Sequence, residues 1–279
     1  MLPRRAIGVK ATQLETIDLA HRYGFESVEP KPDYLASLSD AELAKLKDDL
    51  KSKNLVWGVA GLPADLRAPE DKFAESMKAL PAFAKTLRRA GVTRVTKYLS
   101  PSHPALTYLQ NFKQHVRRVA DAASVLDGEG IRFGLEYVGP RTSLVLEQYP
   151  FIHTMAETKE LIAAAGKRNV GFVLDSFLWY TAHETVADVL SLKGEDVISV
   201  DISDAPAGIP VDQQIDRTRA LPASTGVIDI GGVLNALNKI GFDGPVRVEP
   251  FDPALKAMPR EEAVAATSRA IKKAFALIA

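Results

Sequence analysis

One unit recurs along this chain. An amphipathic helical segment closes on a glycine, and a short apolar run follows almost at once, as in AHRYGFESVEP, RRAGVTRVTKYL, GEGIRFGLEYVG, AAAGKRNVGFVLD and NKIGFDGPVRVEP. Glycine just past a helix end can take positive φ and satisfy the last carbonyls, so each instance reads as a turn from helix to strand. The runs are near-continuously apolar, as expected of parallel strands covered on both faces. Strands are expected at about Ala6–Lys10, Ser27–Pro30, Val56–Gly61, Thr93–Tyr98, Arg132–Val138, Gly171–Phe177, Ile198–Ser203 and Val246–Pro250. Eight such units in 279 residues take about 35 residues each, which predicts an α/β chain folded as one (β/α)8 barrel over residues 1–279. A doubly wound open sheet would ask for a Gly-rich first strand-to-helix turn, and the chain has Lys10-Ala11-Thr12-Gln13 there.

The helices between the strands carry apolar stripes. Phe73, Met77, Leu80, Ala84 and Leu87 define the third, in which Pro81 is expected to cause a kink or a split. Phe112, Val116, Val119 and Ala123 define the fourth, with Arg117, Arg118 and Asp121 expected to face outward. Two long connections, Gly139–His153 and Ala205–Gly226, follow the fifth and seventh strands, on the face where barrels keep their active sites.

Composition narrows the function. Thirty-five Lys and Arg balance 35 Asp and Glu, which argues against a nucleic-acid partner held by phosphate neutralisation and against a polybasic membrane anchor. With no cysteine, thiolate nucleophiles, disulfides and Cys-ligated metals are excluded. The start, MLPRRAIGVKATQLE, has no apolar run behind its arginines, and no stretch of 18 apolar residues follows anywhere. A soluble cytoplasmic protein is expected.

The chemistry signal is a set of acids near the C-terminal ends of four consecutive strands: Glu136, Asp175, Asp201 and Glu249. Their separations of 39, 26 and 48 residues each match one barrel unit, the last enlarged by the long loop. Acids within apolar strands are costly unless paired, hydrogen-bonded or metal-bound. A hard divalent cation is the simplest common partner for four of them. The alternative is an ion-pair network with Arg132, Arg217, Arg219 or Arg247.

At this point the sequence resembles a known family. GLEYVG, the LDSF segment, VDISDAP and LPASTGVIDIGGVLNALNKIGFDGPVRVEPF look like the sugar phosphate isomerase/epimerase family, the xylose-isomerase-like TIM barrels. The second half of the chain carries the likeness; the first half adds topology and Glu29 in GFESVEP. The resemblance implies one divalent ion, usually Mn2+, Mg2+ or a substitute, held by Glu, Asp, His and Glu on the last four strands. Glu136, Asp175 and Glu249 match that pattern, and Asp201 stands where the histidine is usual. Leu178 stands where the family often has a substrate-contacting histidine. An all-carboxylate set suits Mg2+ or Mn2+ better than Zn2+.

The implied activity is isomerisation or epimerisation of a small sugar-like ketone through an enediolate, with Glu136 and Glu249 exchanging roles as base and acid. Two other outcomes stay open: a lyase or dehydratase of a keto-sugar or cyclic keto acid at the same site, and a non-catalytic sugar- or partner-binding barrel. Arg217, Arg219, Lys97, Glu29 and His153 are candidate substrate contacts. His103 and His183 are weaker ones, Trp57 and Trp179 are wall or core residues, and Asp204 is a support for the loop. No Gly-rich phosphate cradle stands out, which favours an unphosphorylated substrate. A homo-oligomer is compatible with the family, and no exposed apolar stripe identifies an interface.

Overall fold

The computed structural model describes residues 1–279. All five glycines of the recurring unit, Gly24, Gly91, Gly130, Gly166 and Gly241, adopt positive φ between 63° and 84°. Helix starts are fixed as firmly. Thr12 with Glu15, Ser39 with Glu42 and Thr154 with Glu157 form reciprocal capping boxes that open Gln13–Tyr23, Asp40–Ser52 and Met155–Ala165. These local signals leave only short apolar segments free to pair.

Six strands pair in parallel in the spatial order Val246–Val248, Val197–Ile202, Val170–Asp175, Arg132–Glu136, Arg94–Tyr98 and Ala60–Gly61. A second parallel pair joins Ser27–Val28 to Val56–Trp57. Leu2 bridges Val28 in parallel, and the Met1 amine donates to Val246 O at 2.5 Å, so the extreme N-terminal residues lie between the last strand and the Ser27–Val28 strand. The sheet therefore curls into a TIM barrel with helices outside. One apolar cluster runs from Leu2 to Ala274 and ties both ends of the chain into the same core. Inside the barrel, a Cβ on Gly134 would lie 2.9 Å from Val173 Cγ2 and 3.0 Å from Ile198 Cβ, so the floor closes only because that position carries no side chain.

Four expectations need correction. Ala6–Lys10 is not a strand. Residues 4–8 turn, with Arg4 O accepting from Val9 N at 2.8 Å, and Leu2 takes the barrel position instead. Ile7 and Val9 are buried, so their apolar character reported burial and not extension. The expected Val56–Gly61 strand is interrupted at Gly58-Val59 and forms two short pieces. Of the kink or split expected at Pro81, the split does not occur: Glu70–Ala90 is one 21-residue element with Phe73, Leu80, Ala84 and Leu87 buried.

The fourth correction is Arg118, which faces inward. It is 1% exposed, its Nη1 donates to Leu66 O and Ala68 O at 2.8 Å each, and its Nη2 donates to Glu70 at 2.9 Å. Its guanidinium carbon lies 4.5 Å from the Phe73 ring centroid. An arginine can bury when loop carbonyls supply its acceptors, so a charged residue beside a helical stripe is not a reliable mark of the solvent face. Arg118→Ala would strand two buried carbonyls. It is expected to destabilise the fold by about 3 kcal/mol, read as a lower urea midpoint at unchanged slope.

Candidate active site at the barrel mouth

The four acids meet. One carboxylate oxygen from each of Glu136, Asp175, Asp201 and Glu249 lies within 4.8 Å of the others. Strand register explains this: Asp175 pairs with Asp201 across adjacent strands, and Arg247 pairs with Asp201 on the other side, placing Glu249 two residues farther along the same inward face. Asp175 is also the cap of the short helix Ser176–Thr181. Its Oδ1 accepts from Phe177 N at 2.7 Å and Leu178 N at 3.0 Å, which turns Oδ2 toward the cluster.

Two buried guanidiniums enter the same space. Arg219 Nη1 donates to Asp175 Oδ2 at 2.8 Å and reaches Glu249 Oε2 at 3.4 Å, while its Nη2 and Nε hold Asp216. Its guanidinium carbon sits 4.8 and 4.9 Å from the Phe177 and Phe251 ring centroids. Arg247 grips Asp201 with two parallel bonds, Nε to Oδ1 at 2.6 Å and Nη2 to Oδ2 at 2.5 Å, and its Nη2 is 2.9 Å from Glu249 Oε1. Glu136 stands apart, with a buried Oε1 that has no hydrogen-bond partner.

These contacts set the titration. Burial, then the charges of Glu249, Asp201 and Asp175, push the Glu136 carboxyl well above its ordinary range, with Arg247 offsetting part of it. Burial pushes Glu249 up to about 7 against the pull of Arg247 and Arg219. Burial also raises Asp175, opposed first by Arg219. Arg247 stays charged because Asp201 and Glu249 outweigh its desolvation. Behind the cluster, the buried Tyr137 hydroxyl donates to Glu184, whose other oxygen accepts from Met155 N at 2.5 Å. Burial raises the Glu184 carboxyl to about 7.

A cavity of about 600 Å³ opens above Glu136 and Glu249. Arg67, Arg217, Arg219, Leu178, Ile215 and Phe251 are among its walls. Arg217 is exposed, lies 5.5 Å from the Phe251 ring and makes no ion pair, so its guanidinium is free for a ligand. Arg219 lines the same cavity with most of its donors already committed. Phe251 holds φ at 42°, an uncommon value for a bulky residue, at the point where three cations surround its ring.

The remaining candidates lie elsewhere. Lys97 is outside the main cavity but borders a smaller one of about 280 Å³ that shares Glu136 and Glu249; burial lowers its pKa, offset in part by Asp65. Glu29 faces Arg4 at 3.9 Å and does not line the main cavity. His153 is bound to Glu157 at 3.0 Å and is also outside the cavity. His103 accepts two backbone N–H groups in its own turn, and His183 pairs with Asp212. Trp57 and Trp179 donate to Ala90 O and Thr185 O and leave the cavity walls to others. Asp204 accepts four backbone N–H groups, from Ala205, Thr225, Gly226 and Ile228, and so supports the loop. Arg67 was not singled out by sequence. It reaches across the mouth to Glu147 at 2.8 Å, a long-range pairing with no local signature. Glu184 was also missed, for the same reason.

The acid cluster suggests a metal site: all four groups are carboxylates, one oxygen of each lies within 4.8 Å of the others, and the buried Glu136 Oε1 has no hydrogen-bond partner, while Arg219 and Arg247 already engage Asp175, Asp201 and Glu249. No helix is long and apolar enough to cross a membrane.

Residues 17–274 match the family model described as xylose isomerase-like TIM barrel. An inosose isomerase of Bacillus velezensis is 24% identical over 272 residues, covering 91% of each chain. A xylose isomerase domain protein from Alicyclobacillus acidocaldarius superposes with a TM-score of 0.84 at 29% identity, covering 99% of this chain and 97% of that one. The IOLI protein, whose crystal structure carries a zinc atom, superposes at 0.79 with 20% identity, covering 97% and 95%.

In metal-free protein, Glu136 and Glu249 bind protons more tightly folded than unfolded. Stability is therefore expected to fall as pH rises from the ordinary carboxylate range through about 7. Glu136→Gln should flatten that slope and stabilise the chelator-treated protein by about 2 kcal/mol at pH 8. Thermal melts from pH 5 to 8 check it, and an unchanged slope counts against the assignment.

Proposed function

The chain belongs to the xylose isomerase-like TIM barrel family, and on that premise we propose that it is a divalent-metal-dependent isomerase or epimerase of a small sugar-like ketone, a ketose or keto-polyol. The observation that carries this reading is the placement of Glu136 and Glu249 together at the floor of one cavity, within the cluster of four converging carboxylates. A carboxylate placed there is suited to accept a proton from carbon and to return it. Glu249 takes the proton next to the ketone carbonyl, and Glu136 delivers one to the resulting enediolate from the other side. In the reverse direction the two exchange roles.

Glu136, Asp175, Asp201 and Glu249 would hold the ion, Mn2+ or Mg2+ by the all-oxygen chemistry of the set. When bound, such an ion supplies Lewis-acid polarisation of the ketone oxygen. Arg219 keeps Asp175 and Glu249 aimed into the cluster through bonds that Phe177 and Phe251 shield from water. Arg217 contacts substrate oxygens from the rim, and Leu178, Ile215 and Phe251 cover the carbon skeleton. The inosose isomerase likeness is in keeping with a cyclic or open polyol ketone.

Two measurements test the reading. Chelator-stripped protein should gain thermal stability with Mn2+ or Mg2+, by about 2.7 kcal/mol at a hundredfold excess over Kd; no gain with either ion removes the metal from the proposal. Proton exchange between solvent deuterium and a keto-polyol such as an inosose or a ketohexose should drop by about a thousandfold or more in Glu136→Gln and in Glu249→Gln. Exchange retained in both variants would overturn the two-glutamate assignment, and an enone absorbance on turnover would redirect it to elimination.

A further inference from the structure

Arg247 is costly where it stands. Alternation along Val246–Val248 points it into the barrel, register sets it directly beside Asp201, and the side chains of the pair are 18% and 2% exposed. Packing alone at an inward strand position is met by an aliphatic residue without desolvating a guanidinium. What Arg247 adds is a charge fixed in place: Nε and Nη2 hold both oxygens of Asp201, and the same Nη2 touches Glu249 Oε1 at 2.9 Å. Arg219 cannot substitute for it, since Arg219 serves Asp175 and shares its remaining donors with Asp216.

We infer that Arg247 is a charge-setting residue: with its guanidinium fixed between Asp201 and Glu249 it biases the acid cluster toward a divalent ion, and its loss shifts the preference toward a trivalent one. The inference rests on the reading of the cluster as a metal site. A fixed positive charge repels a bound cation in proportion to that cation's charge, so it penalises a trivalent ion half as much again as a divalent one at the same place. Removing it improves binding of both ions, the trivalent one more. Arg247 is neither a ligand nor a catalytic residue in this account: its charge acts on the ion through space while its bonds hold Asp201 and Glu249 in place.

The test uses the full chain, stripped with chelator, as wild type, Arg247→Met and Arg247→Lys. Equilibrium binding of Mn2+ is followed by calorimetry and that of Tb3+ by sensitised luminescence. Both affinities of a given variant refer to the same metal-free protein, so any loss of stability cancels in their ratio. In Arg247→Met the ratio of the two dissociation constants should move toward Tb3+ by about tenfold or more, and in Arg247→Lys it should stay within about threefold of wild type. If Arg247→Met is not recovered folded, Arg247→Gln, which keeps a hydrogen bond to Asp201, replaces it with the same expectation. A ratio unmoved by loss of the charge overturns this inference alone. Failure of the wild type to bind either ion overturns the metal reading and this inference with it.

Discussion

Four carboxylates can share the interior of this barrel only because Arg219 and Arg247 stand among them. Like charges this close, cut off from water, are otherwise prohibitive. The two guanidiniums divide the work unequally. Asp201 is fully gripped, Asp175 is shared between Arg219 and a helix end, Glu249 bridges both arginines, and Glu136 is left alone. The graded pattern converts four chemically similar side chains into four different ones. Burial pushes the unpartnered acid well above its ordinary range, and the bridged one up to about 7.

The scaffold makes that grading rigid. Each acid sits on or just beyond a strand whose neighbours are fixed by register, and Gly130, Gly166 and Gly241, all in the left-handed region, follow the helices that precede three of the four strands. Asp204 pins the long loop that delivers Arg219 by accepting four backbone N–H groups. The aromatic faces of Phe177 and Phe251 then exclude water from the guanidinium. Geometry of this kind is assembled before any ligand arrives, which is the condition under which fixed charges act most strongly on a reaction.

Much of this was legible in the sequence, and the exceptions share a cause. Helix ends, strand identity and the acid quartet depend on local pattern: a glycine after a stripe, an apolar run, a carboxylate at its end. Ala6–Lys10 was misread because burial and extension give the same apolar signal over five residues. Arg118 and Arg67 were misplaced or missed because their partners are 48 to 80 residues away, and no window on the chain contains both members. Arg247 is intermediate. Its position two residues before Glu249 marks it as inward by simple alternation, yet whether it would serve as counter-ion or as bystander depended on which residue faced it across the sheet.

The commitment of Arg219 to Asp175, Asp216 and Glu249 at once has an evolutionary consequence. Exchanging Arg219 or Asp175 for a neutral residue leaves a desolvated charge with fewer partners among the others. Viable descendants must therefore change two or more of these positions together, or pass through a poorly folded ancestor. The centre is thus a locus of strong epistasis, while the rim around Arg217 and Ile215 is free to drift one residue at a time and to supply new specificities.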